Sequence, residues 1–249
     1  DHGELHGEHD LYGHEFCLYD PLVNVPLMIK HPDLDAGRRA DQVELVDLYH
    51  TVLDALDVEG GTPAAPDEDV VGLDRTRSLL SSSYREFDGA VASVDADAGS
   101  SNAGSPNTGS PNDDPGKVGG GEYAFVEYSR PVVELKQLEE KAKKAGVTVP
   151  EESRFYSRMR AARRPDAKYV RISRIADEAY RLDDDPEETN NLAGAGDERI
   201  EAVEAALAAF ETNVGGAWDE AEAADVTDDT VADMDEAAQE RLRDLGYME

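Results

Sequence analysis

The sequence holds one cysteine, Cys17, in 249 residues. A lone cysteine excludes an intrachain disulfide, and with it the small secreted scaffold in which bridges replace a core. Aromatic residues are scarce at 6%, so a core has to rest on Val, Leu, Ile and Ala. No apolar run approaches the ~20 residues that a membrane helix needs. No signal peptide is visible. That absence is uninformative because the chain opens on Asp1, within a motif; a cytoplasmic location is expected, with export as the alternative. Basic residues are few: 24 Lys+Arg against 56 Asp+Glu, a formal net charge of -32. Such a field repels nucleic acid and anionic membrane, which removes both as partners.

What is present suffices for folding. Hydrophobic residues make up 39%, and the length allows one large domain or two modest ones. The acidity runs the whole length, apolar-periodic segments included, and the basic residues are mostly Arg, 17 against 7 Lys. This distribution fits a halophile's protein better than it fits one acidic tail. In strong salt the self-repulsion is screened, the Debye length falling to about 3 Å at 1 M. In dilute buffer the chain is expected to lose structure.

Along the chain, Val23-Asn-Val-Pro-Leu-Met-Ile-Lys30 predicts a short buried strand. Leu48–Leu56 predicts a helix capped by Asp47. Residues 88–121 contain GSSNAGSPNTGSPNDDPGKVGGG, a composition that cannot bury a core and reads as a flexible insertion. Glu122–Tyr128 alternates as a strand. Residues 133–146 form a charged helix ending at Gly146. Tyr169–Arg174 and Glu178–Leu182 read as an antiparallel pair followed by an Asp-Asp-Asp-Pro turn at 183–186. Glu198–Phe210 is amphipathic at helical spacing through Ile200, Val203, Ala206, Leu207 and Phe210. A short helix is expected near the end. The expected division is 1–87, an insertion at 88–121, and 122–249.

The chemistry concentrates at the start, DHGELHGEHDLYGHEF. Four of the six histidines (His2, His6, His9, His14) sit here among Asp1, Glu4, Glu8, Asp10 and Glu15, with Asp20 close behind. Carboxylate oxygen and neutral imidazole nitrogen suit divalent cations of hard to borderline character. Gly3 would allow a sharp turn beneath them. On composition alone a His-rich surface loop without a ligand accounts for the same residues.

Asp1-His2-Gly3, Gly7-Glu8-His9, Tyr12-Gly13-His14 and Val25-Pro26-Leu27 resemble a segment of the sulfatases, a family of the alkaline phosphatase superfamily. Val46-Asp47-Leu48-Tyr49 to Val58 resembles a helix of that family. Tyr180-Arg-Leu-Asp-Asp-Asp-Pro-Glu-Glu-Thr-Asn-Asn-Leu192 resembles its late Y-D-L-x-x-D-P-x-E-x-x-N-L motif, the most specific of the matches. Arg241–Tyr247 is similar to a common sulfatase ending. The resemblance implies an α/β fold, the C-terminal portion of an alkaline-phosphatase-like α/β/α sandwich followed by a small α+β subdomain with an antiparallel sheet. It implies Asp1 and His2 as metal ligands, for Ca2+ first, with Zn2+ or Mn2+ as alternatives. It implies His14 as a catalytic residue on the ester, where sulfatases usually carry Lys. Histidine at that place is familiar from phosphoethanolamine transferases, so phosphoester or phosphonate chemistry stands beside sulfuric ester hydrolysis. The C/S-x-P-x-R nucleophile motif does not occur, and Cys17 has neither the Pro nor the Arg. The implied whole is therefore a sulfate ester hydrolase whose N-terminal half, with the nucleophile and an acidic pair for the metal, lies elsewhere; a non-catalytic remnant or complementing subunit is the third reading.

Overall fold

The computed structural model describes residues 1–32, 34, 36–37, 42–58, 78–80, 123–129 and 131–214. The expected insertion at 88–121, the terminal helix and the Arg241–Tyr247 stretch fall outside them. The fold is mixed α/β. In order come β1 (Leu5–His6), β2 (Tyr12–Gly13), α1 (Asp20–Val23), α2 (Leu45–Ala55), β3 (Ala124–Tyr128), α3 (Val132–Ala145), β4 (Met159–Arg164), β5 (Ala167–Ile172), β6 (Glu178–Tyr180) and α4 (Glu198–Val214). The chain divides into two compact units, Asp1–Val25 with Phe125–Glu249, and Pro26–Ala124. The first 25 residues group with the C-terminal part.

In the first unit four strands lie in the order β3-β4-β5-β6. β5 is antiparallel to both neighbours, with Lys168 opposite Arg163 on β4 and opposite Tyr180 on β6. Successive strand side chains alternate faces, and both faces are used. Met159, Ala161, Val170 and Ile172 pack with Leu18 from the N-terminal segment. On the other parity, Tyr169 bonds to Glu204 at 3.2 Å and Arg171 pairs with Glu211, both on α4. Helix α4 lays Ile200, Val203, Ala206, Leu207 and Phe210, all buried, against the sheet, and Phe210 stacks on Phe125 with centroids 4.4 Å apart. The result is three layers: N-terminal segment, sheet, helix.

The N-terminal segment is itself pinned by alternation. Cys17 and Tyr19 join Leu5, Leu22, Tyr180 and Leu182 in one cluster, while Leu18 between them joins the sheet cluster. Cys17 is a packed small residue, as expected, and burial pushes its thiol pKa up. Helix α3 ends as expected at Gly146, whose φ of 69° is the left-handed C-cap conformation.

Two expectations are corrected, and one element had none. Val23–Lys30 is not a strand: Val23 closes α1, and residues 24–30 have no ladder partner among the described residues. Helix α2 starts three residues earlier than expected. Glu44 is its cap and Asp47 its third residue, each side chain bonding the other's backbone N–H, with Glu44 N–H donating to Asp47 Oδ2 at 2.8 Å. The Arg-rich β4 was not foreseen. Its arginines sit in a sheet because carboxylates meet them: Arg160 pairs with Glu127 at 3.0 Å and Glu211 at 3.7 Å, and Arg163 with Asp20 at 2.8 Å.

Candidate functional site

The His-rich opening is a hairpin. β1 and β2 pair antiparallel, Leu5 opposite Gly13 and His6 opposite Tyr12, and Leu5 anchors it in the core. The Gly7-Glu8-His9 unit forms the tip, where Gly7 N–H donates to Leu11 O at 3.0 Å and Leu11 N–H to Glu8 O at 2.9 Å. The base is fastened by Gly3, whose N–H donates to Leu22 O at 2.8 Å. A Cβ on Gly3 would lie 2.0 Å from the Pro21 carbonyl oxygen. Glycine is required here by that close approach, not by a sharp turn.

Closing the hairpin brings His2 and His14 together, with ring centroids 4.6 Å apart and planes tilted by 32°. His2 Nδ1 lies 2.8 Å from the Gly3 carbonyl oxygen. A carbonyl only accepts, so Nδ1 carries a proton; in a neutral imidazole the lone pair is then on Nε2. A backbone acceptor on one ring nitrogen is an arrangement seen in histidines that ligate through the other. Asp1 Oδ1 accepts His2 N–H at 3.0 Å, and both residues are exposed. Beside His14 stand Glu15, 3.4 Å from Nε2, and Glu4, 4.0 Å from Nδ1. Among the described residues no three His, Cys, Asp or Glu side chains converge closely enough to hold a metal ion. Asp1 and His2 are neighbours in the chain and exposed, and among the described residues no third donor converges with them.

The other histidines are used differently. His9, at a left-handed φ of 53°, stacks flat on Tyr19 with centroids 3.6 Å apart. Burial, then the Arg154 charge, lowers its pKa, which keeps it neutral. Arg154 in turn donates to Tyr19 Oη at 2.9 Å and to Glu178 at 2.5 Å. His6 is exposed, and His50 is buried in α2. Asp20, one of the acids counted near the cation, is not available to one. Its carboxylate takes a two-pronged contact from Arg163, at 3.0 and 2.8 Å, and Lys168 Nζ at 2.8 Å.

That contact is part of a buried ion network which sequence reasoning missed. Lys168 is 0% exposed. Its ammonium donates to Leu18 O at 2.9 Å and Asp20 Oδ1 at 2.8 Å, and pairs with Glu188, itself buried. Glu188 Oε2 accepts Asp20 N–H at 2.5 Å. Burial tends to raise the Asp20 carboxyl, but Arg163 and Lys168 outweigh it and hold the pKa down. For Glu188 burial wins over Lys168 and the pKa is raised. The only signal in the sequence was the position of Glu188 inside the late motif. There Asp185 caps the turn, accepting from Thr189 N–H at 3.1 Å and Asn190 N–H at 2.8 Å. Asn191 ties it to β6, accepting Ala179 N–H at 3.0 Å. Comparison with family models, curated proteins and solved structures gave no match.

Proposed function

We propose that the chain is the C-terminal part of a metal-dependent hydrolase of sulfuric esters, with an alkaline-phosphatase-like sandwich as its parent fold. One observation carries the reading: His2 Nδ1 bonds the Gly3 carbonyl and its ring lies next to His14, in a hairpin whose residues are those of the sulfatase-like motif. A divalent cation bound by Asp1 and His2, Ca2+ first and Zn2+ or Mn2+ otherwise, supplies Lewis-acid polarisation of an ester oxygen. The chain's own residues do the rest. His2 and Asp1 orient the cation's side of the site. His14, exposed and flanked by Glu4 and Glu15, contacts a peripheral ester oxygen, or in its protonated form gives a proton to the leaving oxygen. The two glutamates work against an anion approaching from their side. The antiparallel sheet with its helix supports the reading, since the resemblance implies a small α+β subdomain with an antiparallel sheet.

The sequence has no C/S-x-P-x-R, and Cys17 is buried, so the 249-residue chain alone is expected to turn over no aryl sulfate. A titration with Zn2+, Mn2+ and Ca2+, followed by the His2 and His14 ring proton resonances, tests the cation site. The expected result is a shift of both rings, abolished by His2→Ala; no shift with any of the three metals refutes the site. His14 in place of lysine favours a second reading, phosphoester or phosphonate hydrolysis or phosphoethanolamine transfer. A sulfate and phosphate ester panel on the product that includes the upstream half, with and without His14→Lys, separates the two. A non-catalytic remnant predicts turnover of neither class.

A further inference from the structure

The segment Phe16–Leu22 sits on the sheet as a peptide ligand sits on its receptor. Side chains distant in sequence meet its main chain. Phe16 N–H donates to Tyr128 Oη on β3 at 2.9 Å, and the Phe16 carbonyl accepts from Arg154 at 3.5 Å. The Leu18 carbonyl accepts from Lys168 Nζ on β5 at 2.9 Å. Asp20 N–H donates to Glu188 in the late turn at 2.5 Å. The side chains then go to separate places. Leu18 enters the cluster of Met159, Ala161, Val170 and Ile172, while Tyr19 and Leu22 join Tyr180 and Leu182. Arg154 reads the Tyr19 hydroxyl at 2.9 Å. Pro21, in the first turn of α1, brings no N–H to be satisfied. Asp20 alone enters a charged socket.

The socket is charge-unbalanced without that residue. Arg163, Lys168 and Glu188 bring two cations and one anion, and Lys168 and Glu188 are buried. The Asp20 carboxylate supplies the fourth charge and closes the balance. A buried charge left uncompensated is costly, so the socket selects a carboxylate at this position and disfavours a neutral side chain there. Main-chain hydrogen bonds for affinity and separate pockets for successive side chains are the parts from which peptide-recognition surfaces are built. We infer that the four-stranded sheet with its late turn is a peptide-recognition surface for a segment of the type Leu-Tyr-Asp-Pro-Leu, and that residues 16–22 occupy it as a ligand that stays bound without a covalent link. The hairpin bearing His2 and His14 is carried on that ligand. The inference does not depend on the ester chemistry.

The test uses the whole chain with a protease recognition sequence inserted after Gly104. After cleavage in molar salt, the two pieces are expected to co-elute at about 1 μM. Asp20→Asn should weaken their association at least about thirtyfold, because it leaves a buried cation in excess. Lys168→Met added to Asp20→Asn rebalances the socket as Arg163 with Glu188, and should recover at least about threefold. A readout without any variant is exchange of a dye-labelled peptide of residues 1–25. In excess, it is expected to enter the cut chain, seen as a rise in anisotropy, and not the uncut one. Parent pieces that separate at that concentration overturn the inference, since the segment is then held only by its tether. Asp20→Asn pieces that associate as tightly as the parent's also overturn it, since contacts elsewhere then join them. Equal uptake of the peptide by cut and uncut chains does the same, being adhesion without displacement.

Discussion

Replacing Lys168 by Met leaves the side chain's volume nearly intact and removes one buried positive charge. Glu188 loses the ammonium it pairs with, and it is as fully buried as Lys168. Asp20 keeps Arg163, so the orphaned charge is that of Glu188. Breaking one half of a buried ion pair costs about 3–5 kcal/mol, mostly because the remaining ion stays desolvated. For a chain of this size that corresponds to a melting temperature lower by roughly 6–20 °C. Glu188→Gln in the same molecule removes the stranded charge while keeping an oxygen for Asp20 N–H. The double variant is therefore expected to recover at least about 1.5 kcal/mol, a coupling typical of side chains in direct contact. The assay is urea unfolding in molar salt followed by circular dichroism, for the parent, both single variants and the double. Because the pair is shielded from ions, the coupling should change little between about 1 M and higher salt, unlike surface pairs. A loss below about 1 kcal/mol for Lys168→Met, or additive single variants, would refute the network as the tie between hairpin and sheet.

Moving from about 1 M to about 0.01 M salt should unfold much of the chain, since the Debye length lengthens to about 30 Å and carboxylates no longer screened repel one another; unchanged ellipticity and melting across that range would reject the halophilic reading. Gly3→Ala places a Cβ 2.0 Å from the Pro21 carbonyl oxygen and is expected to cost about 1–3 kcal/mol as an overpacked position, while separating the His2 and His14 resonances from their parent positions; a variant as stable as the parent would contradict the close approach. On acidification, the sign for Asp20 follows from its lowered pKa: its stabilisation is complete above the unfolded value and is lost as pH falls through the folded one. Glu188, with its pKa raised, contributes oppositely, its favourable share present below the unfolded value and lost as pH rises through the folded one. Asp20→Asn should therefore flatten the acid limb of the stability profile, and Glu188→Gln should steepen it; identical profiles for both variants would show the two carboxyls to be uncoupled from folding.

The parts of the fold that bury their own apolar face were legible in the sequence. Helix α4 shows each of its five predicted core positions buried, and the β5–β6 pair and the Gly146 cap lie where turn and cap residues put them. Strand β4 was hidden because its sequence, MRAARR, has the composition of a solvated helix face. Only the carboxylates of Glu127, Glu211 and Asp20, distant in sequence, make it a strand that can be buried. Val23–Lys30 failed for the opposite reason: it has every local mark of a strand, and among the described residues no second strand to pair with. Periodicity reports what a segment can bury, not whether a partner is present. At the candidate site, the sequence placed His2 and His14 in one motif but not in contact; their proximity comes from the register of a two-residue ladder. Asp20 was counted only as one more acid behind the histidines, and its partners are cations 143 and 148 residues away.

The network also gives a physical reason for two distant stretches to carry the family-like residues together. Asp185 and Asn191 shape the late turn, and the turn sets Glu188 at a left-handed φ of 56°. From there Glu188 reaches both Lys168 and the backbone N–H of Asp20. Asp20 begins the short helix whose Pro21 and Leu22 carbonyls bound Gly3, one by close approach and the other by a hydrogen bond. Gly3 is also the acceptor for His2 Nδ1. A path of direct contacts thus runs from Asp185 to the ring of His2, and each step is a hydrogen bond, an ion pair or a van der Waals limit. A motif that reads as a structural turn is thus joined by direct contacts to the segment that carries His2, so Glu188→Gln is expected to shift the His2 ring resonances, and unchanged resonances would refute that path.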